Sequence, residues 1–184
     1  MMDLALRRRF FAEEIEAVAK LRSPALVDAF ATIPREHFLP PGPWTVLAEG
    51  DFGAGPARTR PTPDADPDRV CHNIAVAIDA ERRLFNGQPA TIGAWIDALD
   101  LSPGARALHV GCGLGYYTAL IAHCAGPTGR VLAFEADAAL AECARANLSA
   151  RLAGRFRPFA SALANPAFFA AASVTSCGIV SDSA

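Results

Sequence analysis

The chain has 184 residues, 52% apolar and 20% charged, with a net charge of −2. That is enough apolar material for one ordinary domain with a sizeable core, and the charge excludes a general pull toward nucleic acid or an anionic membrane. No apolar run reaches the ~18 residues needed to span a bilayer, so neither nucleic acid nor membrane is expected as a partner.

Residues 3–22 read as an amphipathic helix with Leu6, Phe10, Ile15 and Val18 on one face. Arg7-Arg8-Arg9 is followed by Glu13, Glu14 and Glu16 rather than by an apolar core, which argues against a signal peptide. Ser23-Pro24 supplies an N-cap and a first-turn proline for a short helix, Ala25 to Thr32, that Pro34 ends. Between Pro40 and Pro67 the repeated prolines predict an irregular surface loop. Cys71 to Ala80 alternates enough to be a strand, and Glu81 to Gln88 is a turn or loop. Pro89 to Leu99 is a predicted helix with Ile92, Trp95, Ile96 and Leu99 on one face. Five cysteines, at 71, 112, 124, 143 and 177, form no CxxC pair. They read as reduced thiols of a cytosolic protein, not as a disulfide framework or a metal site.

The second half is the more regular. Arg106–Val110 is a predicted strand, Tyr116–Ala125 a helix, Arg130–Phe134 a second strand, and Asp137 to Leu152 a long helix capped by Asp137. Leu140, Cys143, Ala144, Asn147 and Leu148 would face the sheet. Arg155–Phe159 is a candidate third strand, 163–172 a candidate helix and 177–181 a candidate strand. Glycines at 111, 113 and 115 fill the turn between the first strand and its helix, and Glu135 ends the second strand. An open α/β sheet builds a nucleotide pocket in this way, at the carboxyl ends of its first two strands. The glycines let backbone approach a ligand, and a carboxylate there can accept from both ribose hydroxyls.

Two segments carry a family resemblance. Ala29-Phe-Ala-Thr-Ile-Pro-Arg-Glu-His-Phe-Leu-Pro40 resembles the N-terminal signature of protein-L-isoaspartate O-methyltransferases. Val110-Gly-Cys-Gly-Leu-Gly-Tyr-Tyr-Thr-Ala119 resembles their S-adenosylmethionine loop, and the likeness spans about residues 20–150. It implies an α/β fold, a Rossmann-like class I methyltransferase sheet with helices on both faces, behind an N-terminal helical cap. The implied organisation is a cap and Pro/Gly-rich loop over 1–80 and a partial donor-binding domain over 81–184. The implied donor is S-adenosyl-L-methionine, and the implied substrate a protein or peptide bearing an aspartyl-type carboxylate. The implied protein is a cytoplasmic monomer. The later strands of that sheet have no match, and residues 158–184 read as a truncated or frame-shifted end.

The departures matter too. Where the family carries Thr-Ile-Ser-Gln-Pro, the matching run here is Leu84-Phe-Asn-Gly-Gln-Pro89, so Gly87 stands at the serine position. By resemblance Asn86, Gly87 and Gln88 lie beside the methyl group, with Asn86 and Gln88 as donors to the substrate carboxylate; an ordinary turn is the plain alternative. His109 replaces the acidic residue that usually precedes the glycine loop. It is a satisfied core histidine, a catalytic base or a partner for the donor's carboxylate. Gly111, Cys112, Gly113, Gly115, Tyr116 and Glu135 complete the candidate donor site, with Cys112 as a packing residue. A turn without ligand, a solvated Glu135, or a dinucleotide fingerprint are the alternatives, although Tyr116 is bulky where a dinucleotide loop wants glycine or alanine. Arg35 and Glu36 are either an ion pair holding the cap or surface charges. A methyltransferase with another acceptor, or an inactive remnant, are the competing functions.

Overall fold

The computed structural model describes residues 3–48, 59–151 and 178–182. They fall into two units, Met1–Ala98 and Leu99–Ala184. Among the described residues no helix is long and apolar enough to cross a membrane.

In the first unit, α1 (Leu4–Ala19) starts on Asp3, whose side chain accepts from the Ala5 amide, and ends with Lys20 in the left-handed region. It buries Phe11, Ala12 and Ile15. The predicted face is corrected here: Leu6, Phe10 and Val18 are exposed, because the helix turns the Phe11 stripe toward its partners α2 (Pro24–Thr32) and α3 (Pro89–Asp97). Phe11 meets Phe30 of α2 edge to face, with ring centroids 5.8 Å apart. Gly93 of α3 sits against Phe30 and Ile15, where a Cβ would come within 3.3 Å of the phenyl ring. Ile92 and Ile96 point inward as expected, whereas Trp95 is 46% exposed.

Four antiparallel strands complete this unit: β1 (Thr45–Ala48), β2 (Thr59–Pro61), β3 (Ile74–Asp79) and β4 (Leu84–Phe85), in the order β2-β1-β3-β4. The predicted irregular loop from 40 to 67 therefore contains two strands, with 49–58 outside the described residues. Prolines did not forbid this. Pro61 ends the edge strand β2, where a missing N–H is tolerated. Trp44, Val46, Val70 and Val76 form a core over which Leu39 and Ile74 pack. α3 makes contacts with α1 and α2 within the first unit.

In the second unit, β5 (Arg106–Val110) pairs in parallel with β6 (Arg130–Phe134), from Arg106 opposite Arg130 to Val110 opposite Phe134. These bounds, and those of α4 (Tyr116–Ala125), are as predicted. β7 (Gly178–Asp182) pairs antiparallel on the other side of β5. α4 packs on β5 and β6 and is buried almost all round, from Tyr116 through Ile121 and again at Cys124 and Ala125. α5 (Ala138–Arg151) is capped by Asp137, whose Oδ1 accepts from the amides of Ala139 and Leu140. Its buried residues are Ala141, Ala144 and Leu148, and Cys143 is exposed, so the predicted face is rotated by part of a turn. The candidate strand 155–159 and helix 163–172 lie outside the described residues.

One polar pair is sealed between α4 and the sheet. His109, 1% exposed, meets Thr118 through Nδ1 and Oγ1 at 2.8 Å. Burial disfavours the imidazolium and lowers the His109 pKa to about 4.

Two predictions follow from these contacts. Asp97 of α3 accepts from the Arg22 amide (3.0 Å), the Ser23 amide (2.8 Å) and Arg22 Nε (3.1 Å). Burial raises its pKa, but those donors outweigh burial and hold the carboxyl below its ordinary value. Asp97→Ala strands the two amides at the α1–α2 junction and is expected to cost about 2–3 kcal/mol, measurable by urea unfolding. His109 is neutral when folded and takes up a proton on unfolding below its ordinary pKa of 6.5. Stability is therefore full above that pH and falls between 6.5 and 4, approaching about 1.4 kcal/mol per pH unit. Unfolding midpoints at pH 7, 6 and 5 should show that slope, and His109→Gln should flatten it.

Candidate functional site

The loop after β5 is shaped by what the next strand offers it. The Phe134 carbonyl at the end of β6 accepts from the amides of Gly111 (2.8 Å) and Cys112 (3.0 Å). Glu135 then turns its side chain onto the same loop: Oε2 accepts from the Gly113 amide at 2.8 Å, and Oε1 from the Asp137 amide at 3.1 Å. The Gly115 amide closes the turn on the Cys112 carbonyl at 2.9 Å. Asn147 of α5 donates from Nδ2 to the Leu114 carbonyl at 3.0 Å. Carboxylate and loop, chosen from sequence as one site, are thus in direct contact.

Gly111 and Gly115 are both in the left-handed region, φ 77° and 96°, for different reasons. A Cβ on Gly115 would press to 3.1 Å from the Leu148 side chain, so this glycine lets α5 approach the start of α4. A Cβ on Gly111 would meet nothing within 4 Å. Its bare face borders open space, as a wall against a ligand requires. Cys112 is buried, with Sγ 3.9 Å from the Gly113 carbonyl, as befits a packing residue. Tyr116 is buried beside Tyr117, ring centroids 5.1 Å apart. His109 lies one residue before the loop but inside the core with Thr118.

The second cluster lies in the first unit. Asn86 follows β4, and its Oδ1 accepts from the Val76 amide (3.0 Å) and from Arg35 Nη2 (3.1 Å). Gly87 has φ 78°. Gln88 precedes the first turn of α3 and donates from Nε2 to the Asn73 carbonyl at 3.1 Å, while Asn73 Oδ1 accepts from the Ala90 amide at 2.9 Å. Arg35 and Glu36 are not paired with each other. Glu36 forms its ion pair with Arg8 of α1, and Arg35 points into the interior.

Asn73 and the inward course of Arg35 carry no signal in the sequence, and Asn147, expected to face the sheet, also donates to the loop. Most of their contacts involve main-chain groups, which leave no residue pattern to read. Among the described residues no three metal-ligating side chains gather.

Comparison with known proteins agrees with this architecture. Residues 62–156 match the family model described as protein-L-isoaspartate(D-aspartate) O-methyltransferase. A protein-L-isoaspartate O-methyltransferase from Methylorubrum extorquens is 36% identical over 138 residues, covering 74% of this chain and 48% of the relative. One from Methylorubrum populi is 35% identical over 151 residues, covering 82% and 57%. The chain spans about half the length of the curated relatives it matches. A solved protein-L-isoaspartate O-methyltransferase aligns with a TM-score of 0.57 at 22% identity, over 82% of this chain and 42% of that one. A Plasmodium falciparum protein described as a putative member, solved with S-adenosyl-L-homocysteine, aligns at 0.56 and 15%, over 83% and 62%. The fold is that of these Rossmann-like methyltransferases, and with the family model matching just over half of its residues, the chain belongs to the protein-L-isoaspartate(D-aspartate) O-methyltransferase family.

Proposed function

We propose that this protein transfers a methyl group from S-adenosyl-L-methionine to the free carboxylate of an L-isoaspartyl residue in a protein or peptide. The observation that carries the reading is the joined pair of bare glycine loop and Glu135 carboxylate, set in a chain of this family. The donor supplies an activated methyl on a sulfonium.

The residues present suit such a donor. Glu135 uses one oxygen for each of two amides. A carboxylate has about four lone-pair sites, so ribose hydroxyls can donate to the same two oxygens without displacing the loop. Gly111 supplies the close approach of main chain.

The acceptor needs little chemistry. A side-chain or α-carboxylate is already ionised at pH 7, so no general base has to be built, and positioning dominates. The Asn86–Pro89 turn is assigned to the acceptor by its correspondence with the family's Thr-Ile-Ser-Gln-Pro run. Gln88, its amide plane set by Asn73, orients the carboxylate there. Gly87 brings no hydroxyl, and that favours a second reading: the same transfer to a different carboxylate acceptor. We further propose that the protein acts as a monomer in the reducing cytoplasm, where the buried Cys71, Cys112 and Cys124 stay thiols.

Calorimetric titration of the full chain with S-adenosylhomocysteine should show one-site binding. Gly111→Ala should lower that affinity at least about tenfold, a 1.4 kcal/mol loss, while costing the fold only about 1–2 kcal/mol for a left-handed alanine. Unchanged affinity would remove the loop from the donor site. With labelled donor, methyl should appear on an isoaspartyl peptide and not on its aspartyl isomer. Firm donor binding with no transfer to that peptide, but transfer to another carboxylate, would select the second reading.

A further inference from the structure

Arg35 is among the largest fully buried side chains, 1% exposed. A guanidinium stays charged inside a protein, so its burial has to be met by acceptors. Nη1 donates to the carbonyls of Val70 (3.0 Å) and His72 (3.2 Å). Nη2 donates to the carbonyl of Ile74 (2.7 Å) and to Asn86 Oδ1 (3.1 Å). Three acceptors belong to one stretch of backbone, the run leading into β3. The fourth is a side chain across the β3–β4 hairpin, at the head of the Asn86–Pro89 turn.

Asn86 is gripped from the other side as well. Its Oδ1 accepts from the Val76 amide, and its own amide donates to the Val76 carbonyl at 3.0 Å. Its Nδ2 is buried and has no hydrogen-bond partner among the described residues. An amide enclosed on both its atoms is not presented to a substrate. Beyond it the chain turns through Gly87 at positive φ, and Gln88 and Ala90 are tied to Asn73 of the same β3-leading run. The turn is thus fastened at both ends to residues 73–76, and Arg35 grips its first end.

We propose that Arg35 is a positioning residue for the acceptor turn. It holds Asn86 from behind and so fixes the Gly87 backbone and the Gln88 amide, touching neither methyl donor nor acceptor. Asn86 is accordingly an anchor of the turn, not a donor to the substrate. This rests on the assignment of the turn to the acceptor made above. A planar fork is needed because the four acceptors lie on two separate pieces of chain; a lysine ammonium, a single point with three donors, cannot span them.

The test uses the full chain with Arg35→Lys, Asn86→Ala, Asn86→Asp and the double variant Arg35→Lys/Asn86→Ala. Four readouts are taken: thermal unfolding, S-adenosylhomocysteine affinity, kcat and KM for an isoaspartyl peptide, and hydrogen exchange at the Val76 and Gln88 amides. Asn86→Ala is expected to lower kcat/KM about tenfold, to speed Val76 exchange by a similar factor, and to leave donor affinity within about twofold. Asn86→Asp keeps an oxygen that accepts from Arg35 and Val76, and should recover most of both losses. Arg35→Lys should match Asn86→Ala, and the double variant should be no worse than either, as for two parts of one clamp. If Asn86→Asp transfers as poorly as Asn86→Ala, the amide N–H itself meets the acceptor and the proposal falls. Additive losses in the double variant also overturn it. Should Arg35→Lys fail to fold, the two Asn86 variants decide alone. A chain that binds donor yet methylates nothing sinks the acceptor reading, and exchange then decides the clamp by itself: Val76 and Gln88 loosening together support it, and independent behaviour overturns it.

Discussion

A single carboxylate, Glu135, ties the end of one parallel strand to the loop that leaves its neighbour. Without it the glycine loop would have three left-handed residues and few reasons to prefer one path. With it, the Gly113 amide has an ionised acceptor at 2.8 Å, and the Phe134 carbonyl collects the two amides before it. Such charge-assisted bonds are worth about 1.5–3 kcal/mol, enough to select one path for glycines that enter the left-handed region without strain. The in-register pairing of β5 with β6 is the precondition, since a slip of one residue would turn Glu135 to the opposite face of the sheet. Structure and ligand chemistry therefore draw on one residue: the group that shapes the loop is also the group that can accept from a ribose.

The first unit uses the same device with different charges. Asp97 gathers the amides of Arg22 and Ser23 where α1 gives way to α2, and so orients three helices at one point. Arg35 gathers carbonyls in front of β3 and one side-chain amide beyond β4. In each case an ionised group satisfies main-chain dipoles that no helix or ladder reaches. This explains how a short four-stranded sheet with a two-residue last strand keeps a defined hairpin end. Glu36, the neighbour of Arg35 in the chain, pairs instead with Arg8 of α1.

These devices differ in how far the sequence discloses them. The β5–α4–β6 segment is legible residue by residue. Apolar runs, a glycine turn, Gly126-Pro-Thr-Gly129 and the Asp137 cap are all local signals, and every bound there agrees with the fold. Glu135 is legible for the same reason, being the first polar residue after an apolar strand. The buried face of α1 is not. Leu6, Phe10 and Val18 make as good a stripe as Phe11, Ala12 and Ile15, and only the position of α2 and α3 selects between them. β2 is hidden by Pro61, which an edge strand tolerates, and β1 by the prolines that precede it. Arg35 is the hardest to read, since a guanidinium bound by backbone carbonyls looks in sequence like any surface charge.

Gly87 limits what the Asn86–Pro89 turn, proposed above for the acceptor, can become. Its φ of 78° follows from an Asn86 drawn inward by Arg35 and Val76, after which the chain must reverse before Pro89 starts α3. A serine in that conformation would cost about 1–2 kcal/mol, so restoring the family's hydroxyl by substitution alone would strain the turn it is meant to serve. The absent hydroxyl and the tethered asparagine are then one arrangement rather than two independent departures. An acceptor carboxylate at this turn would have to be held by main-chain amides and by Gln88, whose own amide is already braced on Asn73. Selectivity would rest on the shape of that braced backbone, which a one-residue change at Asn86 can move without touching the donor loop.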